Sequence, residues 1–241
     1  MNIIKLRNYR EISFEAAKII RDQVLLKPQS VIGFATGSTP IGTYEELINI
    51  FNKDLITFEN VKSFNLDEYY GINPMNKNSY NYFMKNNLFN YIDIKEENIN
   101  IPNGLAEDVE KECEEYERKI HEAGGIDLQL LGIGRNGHIG FNEPCEEFKA
   151  HTHLVELKED TIKANSRFFD SLEDVPTKAI SMGVKTIMSA RKIILIASGE
   201  EKAEIIRKTV YGSITPNLPA SILQLHDDVT LIVDEESGKY I

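Results

Sequence analysis

The stretch Gly134-Arg135-Asn136-Gly137-His138, continued by Phe141-Asn142-Glu143-Pro144, puts an imidazole, an amide and a carboxylate in one short irregular segment. A carboxylate five residues from a histidine can orient the ring and raise its basicity, so that it moves protons near neutral pH. Asp67, in Asp67-Glu68-Tyr69, is a second acid placed independently. Partial desolvation would raise its pKa and make it a usable base. Thr36-Gly37-Ser38-Thr39-Pro40 reads as an anion cradle: Gly37 admits close backbone approach, and Ser38 and Thr39 add hydroxyl donors. It lacks the lysine and spacing of a nucleotide P-loop, so a single phosphate on a small molecule fits it better. Ser198-Gly199-Glu200-Glu201-Lys202 and Asn165-Ser166-Arg167 contribute two cations. Each feature also has a plainer reading: a structural histidine, a capped strand-to-helix turn, a surface turn rich in Tyr and Glu.

The elements that must position these groups follow from periodicity. Short, mostly apolar runs at Val31–Ala35, Val61–Leu66, Ile126–Gly132, Lys192–Ala197 and Val229–Val233 suit strands buried on both faces of a parallel sheet. Ile3–Leu6, His151–Leu157 and Lys178–Met182 are weaker strand candidates. Helical patterns fall between them at Tyr9–Leu25, Thr39–Asn52, Ser79–Phe89, Glu107–Ala123 and Glu200–Tyr211. Thr39 and Pro40 look like a capping residue and a first helical position. Alternation of this kind predicts one α/β domain spanning 1–241, with helices on both faces of a mostly parallel, Rossmann-like sheet. Ligands of such sheets bind beyond the carboxyl ends of the strands, where four of the five polar segments fall. Asn165–Arg167 follows no clear strand.

One pattern misleads. Gly132-Ile133-Gly134-Arg135-Asn136-Gly137 matches a dinucleotide fingerprint after a strand, with Glu156 about 20 residues further on. The continuation HIGFNEP holds another Gly and then Pro144, too broken for the crossover helix the fingerprint needs. A loop passing tightly round a ligand suits the glycines better. No His, Cys or carboxylate set has metal-ligand spacing, and no G-x-S-x-G elbow occurs. What remains is cofactor-free, metal-free proton transfer on a phosphorylated small molecule.

Composition narrows the class further. Lys and Arg number 27 against 38 Asp and Glu, a net charge of −11, which argues against a nucleic-acid or anionic-membrane partner. With 41% hydrophobic and 27% charged residues the chain reads as globular. Its apolar runs are too short to span a bilayer, and MNIIKLRNYREISFE has no secretory apolar region. Cys113 and Cys145 make no disulfide framework, so a cytoplasmic setting is expected.

Taken in order, FATGSTPIGTY, FNLDEYYG, LGIGRNGHIGFNEP, ANSRFFD, SGEEKA and SILQLH resemble the glucosamine-6-phosphate deaminase family (glucosamine/galactosamine-6-phosphate isomerases) across almost the whole chain. The resemblance implies a three-layer α/β/α sandwich and, in amino-sugar catabolism, conversion of D-glucosamine 6-phosphate and water to D-fructose 6-phosphate and ammonia without a redox cofactor. It assigns ring opening to His138, orientation of that imidazole to Glu143 and Asn136, and proton transfer between C2 and C1 to Asp67. The phosphate would be held by Gly37, Ser38 and Thr39 with Arg167 and Lys202. Many members carry Asp where this chain has Asn136, so Glu143 is expected to carry more of the stabilisation of a cationic His138. Two rival readings are a 6-phosphogluconolactonase, whose pattern usually lacks the FNEP continuation, and a non-catalytic sugar-phosphate sensor. A sensor in a transcription regulator needs a DNA-reading segment, and here the core begins almost at once.

Some longer members are hexamers activated by N-acetylglucosamine 6-phosphate at a subunit interface. Here HTHLVEL places His153, Val155 and Glu156 where an Arg, a Lys and a Thr would be expected, and the chain ends at Ile241 without a longer tail. The resemblance therefore implies no such activation, and leaves self-association open, a monomer included.

Overall fold

A computed structural model describes residues 1–158, 161–162, 166, 169, 171 and 174–241. The elements are β1 (Asn2–Leu6), α1 (Tyr9–Leu26), β2 (Val31–Phe34), α2 (Ile41–Phe51), β3 (Lys62–Asn65), β4 (Asp67–Tyr69), α3 (Tyr80–Asn87), β5 (Ile99–Asn100) and α4 (Val109–Glu122). They continue with β6 (Leu128–Leu131), β7 (His153–Glu156), β8 (Lys178–Ser181), α5 (Val184–Met188), β9 (Lys192–Ala197), α6 (Ala203–Tyr211) and β10 (Val229–Asp234).

Seven strands form a sheet in the order β1-β10-β9-β6-β2-β3-β5, and every pairing within it is parallel. Period-two alternation sorts its side chains into two cores. Ile32 and Phe34, Leu128 and Leu130, Ile194 and Ile196 face α1 and α2. Val31, Leu131, Ile193 and Leu195 face Tyr116 and Ile120 of α4 and Ile206 of α6. Both faces being covered explains why these strands read as continuous apolar runs. Burying each such aliphatic side chain contributes about 1.5–3 kcal/mol. This is the three-layer α/β arrangement expected from the sequence.

Helix starts follow local chemistry. Asn8 accepts from the Glu11 N–H, Ser79 from the Tyr82 N–H and Asp108 from the Lys111 N–H, each satisfying a donor the helix leaves over. Helix α2 departs from the expected pattern: it begins at Ile41, Pro40 is its N-cap, and no side chain caps it. The Tyr9 hydroxyl takes over part of that role, accepting from the Gly42 N–H at 2.8 Å.

Two features differ from the sequence reading. β7 and β8 do not join the parallel sheet but form a separate antiparallel sheet with β4, in the order β4-β8-β7. Asp67 is therefore not on a free loop after β3 but is the first residue of β4, opposite Ser181. The small sheet is fastened to the large one where the Met182 N–H donates to the Leu66 carbonyl at 2.8 Å. It has its own apolar patch, in which Tyr69, Phe141, Val155 and Leu157 are buried.

Candidate active site

Strand order locates the crevice. From β2 the chain steps outward to β3 and β5, then returns to place β6 on the other side of β2. Connections diverge between β2 and β6, and a doubly wound sheet opens a ligand crevice at that point. Residues 36–40 follow β2 and residues 132–138 follow β6, so the proposed cradle and the histidine loop flank it.

The histidine loop is built by its glycines. The Gly134 N–H donates to the His138 carbonyl at 3.0 Å, and Gly137 adopts a φ of +83° that glycine accommodates at low cost. A Cβ at Gly134 would lie 2.2 Å from Cε1, 2.3 Å from Nδ1 and 2.4 Å from Nε2 of His138. The backbone thus passes against the face of the imidazole, as a tight loop and not as a dinucleotide turn. Gly134→Ala should displace the ring and lower activity by about 10²-fold, the typical cost of misplacing a reacting group by an ångström. Wild-type turnover in a folded Gly134→Ala variant, checked by circular dichroism, would show that the ring position is not critical.

Asn136 stands between the histidine and the acid. His138 Nδ1 lies 2.7 Å from Asn136 Oδ1, and Asn136 Nδ2 donates to Glu143 Oε2 at 2.7 Å. Glu143 itself is 3.9 Å from Nδ1, beyond hydrogen-bond reach. An ionised carboxylate accepts only, so it turns the amide N–H₂ toward itself and the amide oxygen toward the ring. The ring then carries its proton on Nδ1 and leaves Nε2 as a free base. Glu143 is buried, and its other oxygen accepts from the Thr161 hydroxyl. The sequence offers no signal for Thr161.

Burial pushes the His138 pKa below its usual 6.5; the Glu143 carboxylate opposes this, and the Lys202 cation adds to the lowering. Lys202 Nζ donates to the Ile133 carbonyl at 2.8 Å, which brings this cation to the histidine loop.

Asp67 is 6% exposed, and burial, reinforced by the Glu68 charge, raises its pKa from 3.8 to about 8. It lies beside the same loop: a Cβ at Gly140, whose φ is +56°, would sit 3.5 Å from Asp67 Oδ2. Residues 37–39 are tied down from α1, since the Tyr9 hydroxyl reaches the carbonyls of Ser38 at 3.2 Å and Thr39 at 3.0 Å. Gly37 has a φ of +97° with open space around it. The structure thus joins Asn136, His138 and Glu143 directly, and sets Asp67 and Lys202 against their loop. Residues 37–39 reach the same rim through strand order alone. Arg167 lies outside the described residues. Glu68, which the sequence reading gave no role, proves to be buried next to Asp67.

Residues 10–232 match the family model described as glucosamine-6-phosphate isomerases/6-phosphogluconolactonase. A glucosamine-6-phosphate deaminase of Clostridium botulinum (strain Kyoto / Type A2) is 60% identical over 238 residues, 99% of this chain and 98% of its own. One from Clostridium acetobutylicum is 57% identical over the full length of both. Among solved structures, a monomeric glucosamine-6-phosphate deaminase covers all of both chains at 46% identity with a TM-score of 0.97. The 6-phosphogluconolactonase of Thermotoga maritima shares the fold, with a TM-score of 0.78, at 19% identity.

Proposed function

This chain belongs to the glucosamine-6-phosphate isomerase/6-phosphogluconolactonase family, and we propose that it converts D-glucosamine 6-phosphate and water to D-fructose 6-phosphate and ammonia. The observation that carries the reading is the 60% identity, over nearly the whole of both chains, to a protein of that activity. The rim geometry supplies a chemistry for it. His138 Nε2 takes the proton of the C1 hydroxyl and delivers it to the ring oxygen, opening the pyranose. Asp67 removes the C2 proton and returns it to C1, so that the amine passes through an enolamine to a ketimine. Water adds at C2 of the ketimine and ammonia leaves. Residues 37–39, Lys202 and Arg167 hold the phosphate, a planar fork and a point charge both suiting a dianion. We read the protein as a cytoplasmic enzyme acting on a small sugar phosphate without redox cofactor or metal, and without nucleic-acid or membrane partners.

Purified protein mixed with glucosamine 6-phosphate should release ammonia and fructose 6-phosphate in equal amounts with nothing else added. Hydrolysis of 6-phosphogluconolactone in place of ammonia release would reverse the assignment in favour of the other branch of the family.

Regulation is a separate expectation. Beside Glu143 is a cavity of about 380 Å³ whose walls include His153, Val155 and Glu156 of β7. Its cations are already engaged: Lys149 pairs with Glu147 at 2.6 Å, and Lys158 donates to the Pro144 carbonyl. Glu156 on the same wall adds a negative charge that Lys178, at 3.6 Å, only partly offsets, so a phosphorylated effector gains little there. Initial rates should be hyperbolic in substrate and unchanged by N-acetylglucosamine 6-phosphate. A sigmoidal curve that this compound makes hyperbolic would contradict the expectation.

A further inference from the structure

The strand that carries Asp67 is three residues long and, among the described residues, is paired along one edge only, to β8. Two of its side chains reach α3: the Tyr69 ring packs 4.8 Å from that of Tyr80, and Glu68 makes the polar tie. The Glu68 carboxylate, 2% exposed, accepts three backbone N–H groups: Oε1 from Tyr69 and Tyr80, and Oε2 from Asn81, each at 2.9 Å. Tyr80 and Asn81 open α3, so Glu68 fastens β4 to a helix N-terminus. The Ser79 hydroxyl already caps that helix by accepting from the Tyr82 N–H. Glu68 takes two further N–H groups of the same helix start, those of Tyr80 and Asn81, and in doing so ties β4 to it. Packing against Glu68 is close as well, since a Cβ at Gly104 would lie 3.3 Å from its Cγ.

Resting on the deaminase reading given above, we propose that Glu68 is a positioning residue for Asp67: it holds the short strand against α3 and supplies the neighbouring negative charge that sets the pH at which Asp67 becomes a base. Three N–H donors and the start of a helix favour the ionised form of Glu68. Asp67 must then ionise next to an existing charge in a site shielded from water. For Glu68 burial raises the pKa while the three N–H bonds lower it; for Asp67 burial and then the Glu68 charge both raise it.

The other groups facing the pair do not neutralise it. Tyr69 on β4, Tyr80 on α3 and Tyr116 on α4 present hydroxyls whose pKa values are raised by burial first and by the neighbouring carboxylate charge after it. β8 presents the Ser181 hydroxyl, while its Lys178 turns to Glu156 at 3.6 Å. The loop at Gly140 brings His138 and Glu143, whose mutual contacts run through Asn136.

The test is the pH profile of kcat for Glu68→Gln, with Ser79→Ala as the control that loosens the start of α3 without touching either carboxylate. Removing the charge should move the acid limb down by about one pH unit, a typical effect of one nearby like charge. KM should change little. Ser79→Ala should keep the native limb. A Glu68→Gln limb that coincides with the native one, at whatever kcat, would reduce Glu68 to a structural tie and overturn the proposal. If Glu68→Gln does not fold, the order of ionisation can be read by infrared titration of the buried carboxyl groups in the native protein and in Asp67→Asn. Because Glu68 ionises while Asp67 is still protonated, Asp67→Asn should lose the upper of the two steps and keep the lower one near its native pH. Loss of the lower step instead would show that Asp67 ionises first and would overturn the proposal. This reading needs no turnover, so a protein that releases no ammonia would sink the proposed function while leaving the coupling of the two carboxyls measurable.

Discussion

Asp67→Asn is expected to lower kcat by about 10²–10⁴-fold, the usual contribution of a positioned general base, while sugar phosphates still bind with nearly native affinity. An amide of the same size keeps the packing of β4 but cannot accept the C2 proton. The native profile should rise with pH through the Asp67 value of about 8 and level off above it, because only the carboxylate acts as base. His138 imposes no acid limb in that range, since its pKa is lowered and its working form is neutral. Stability should move the opposite way from activity. The Asp67 pKa is raised on folding from 3.8 to about 8, so its contribution is fully present below 3.8 and lost as the pH climbs through 8. Asp67→Asn carries no ionisable group there, so its melting temperature relative to the native protein should rise between pH 4 and pH 8. Retention of most of the native turnover would remove Asp67 from the mechanism. A melting temperature that falls steeply in the variant would instead mark the loss of activity as a folding defect.

Much of this site could be read from the sequence because a doubly wound sheet converts chain position into space. Once Val31–Phe34 and Leu128–Leu131 are parallel neighbours, the residues after each must share a rim. Apolar runs that need burial on both faces identified those strands. The same logic fails for strands of three or four residues. Asp67–Tyr69 is too short to show a period, and its polar composition reads as a turn. Its pairing with Lys178–Ser181 joins residues more than a hundred positions apart, a contact no local pattern encodes. Ile99–Asn100 is missed for the same reason of length. Helix α2 shows the reverse error, where Thr39 and Pro40 have the right types for a cap and the Tyr9 hydroxyl of another helix does the work.

Side-chain relays are harder still. With Asn136 in place of the usual Asp, the expectation is that the amide still hydrogen-bonds the imidazole and that Glu143 carries more of the stabilisation of a cationic His138. In the structure the amide makes the contact and the carboxylate fixes the amide. Charge stabilisation of a cationic ring then acts across 3.9 Å without a shared proton, and is weaker than a direct ion pair. A lowered His138 pKa fits a ring that spends its time neutral and shuttles a proton only transiently.

That role makes His138→Gln the second large expected effect, a loss of about 10²–10⁴-fold in kcat on the pyranose substrate. Glutamine fills similar space and can hydrogen-bond the C1 hydroxyl, but its amide cannot take that proton and pass it to the ring oxygen. The defect should be confined to ring opening. An acyclic amino-alditol phosphate, which has no ring to open, should inhibit the variant as tightly as it inhibits the native enzyme. Asp67→Asn would bind it equally well, so affinity alone does not separate the two variants. Ring-opened substrate does: supplied transiently in the acyclic form, it should be turned over by His138→Gln at a rate near native, and by Asp67→Asn hardly at all. Equal loss of both substrate forms in His138→Gln would place the histidine in a later step, after the pyranose has opened.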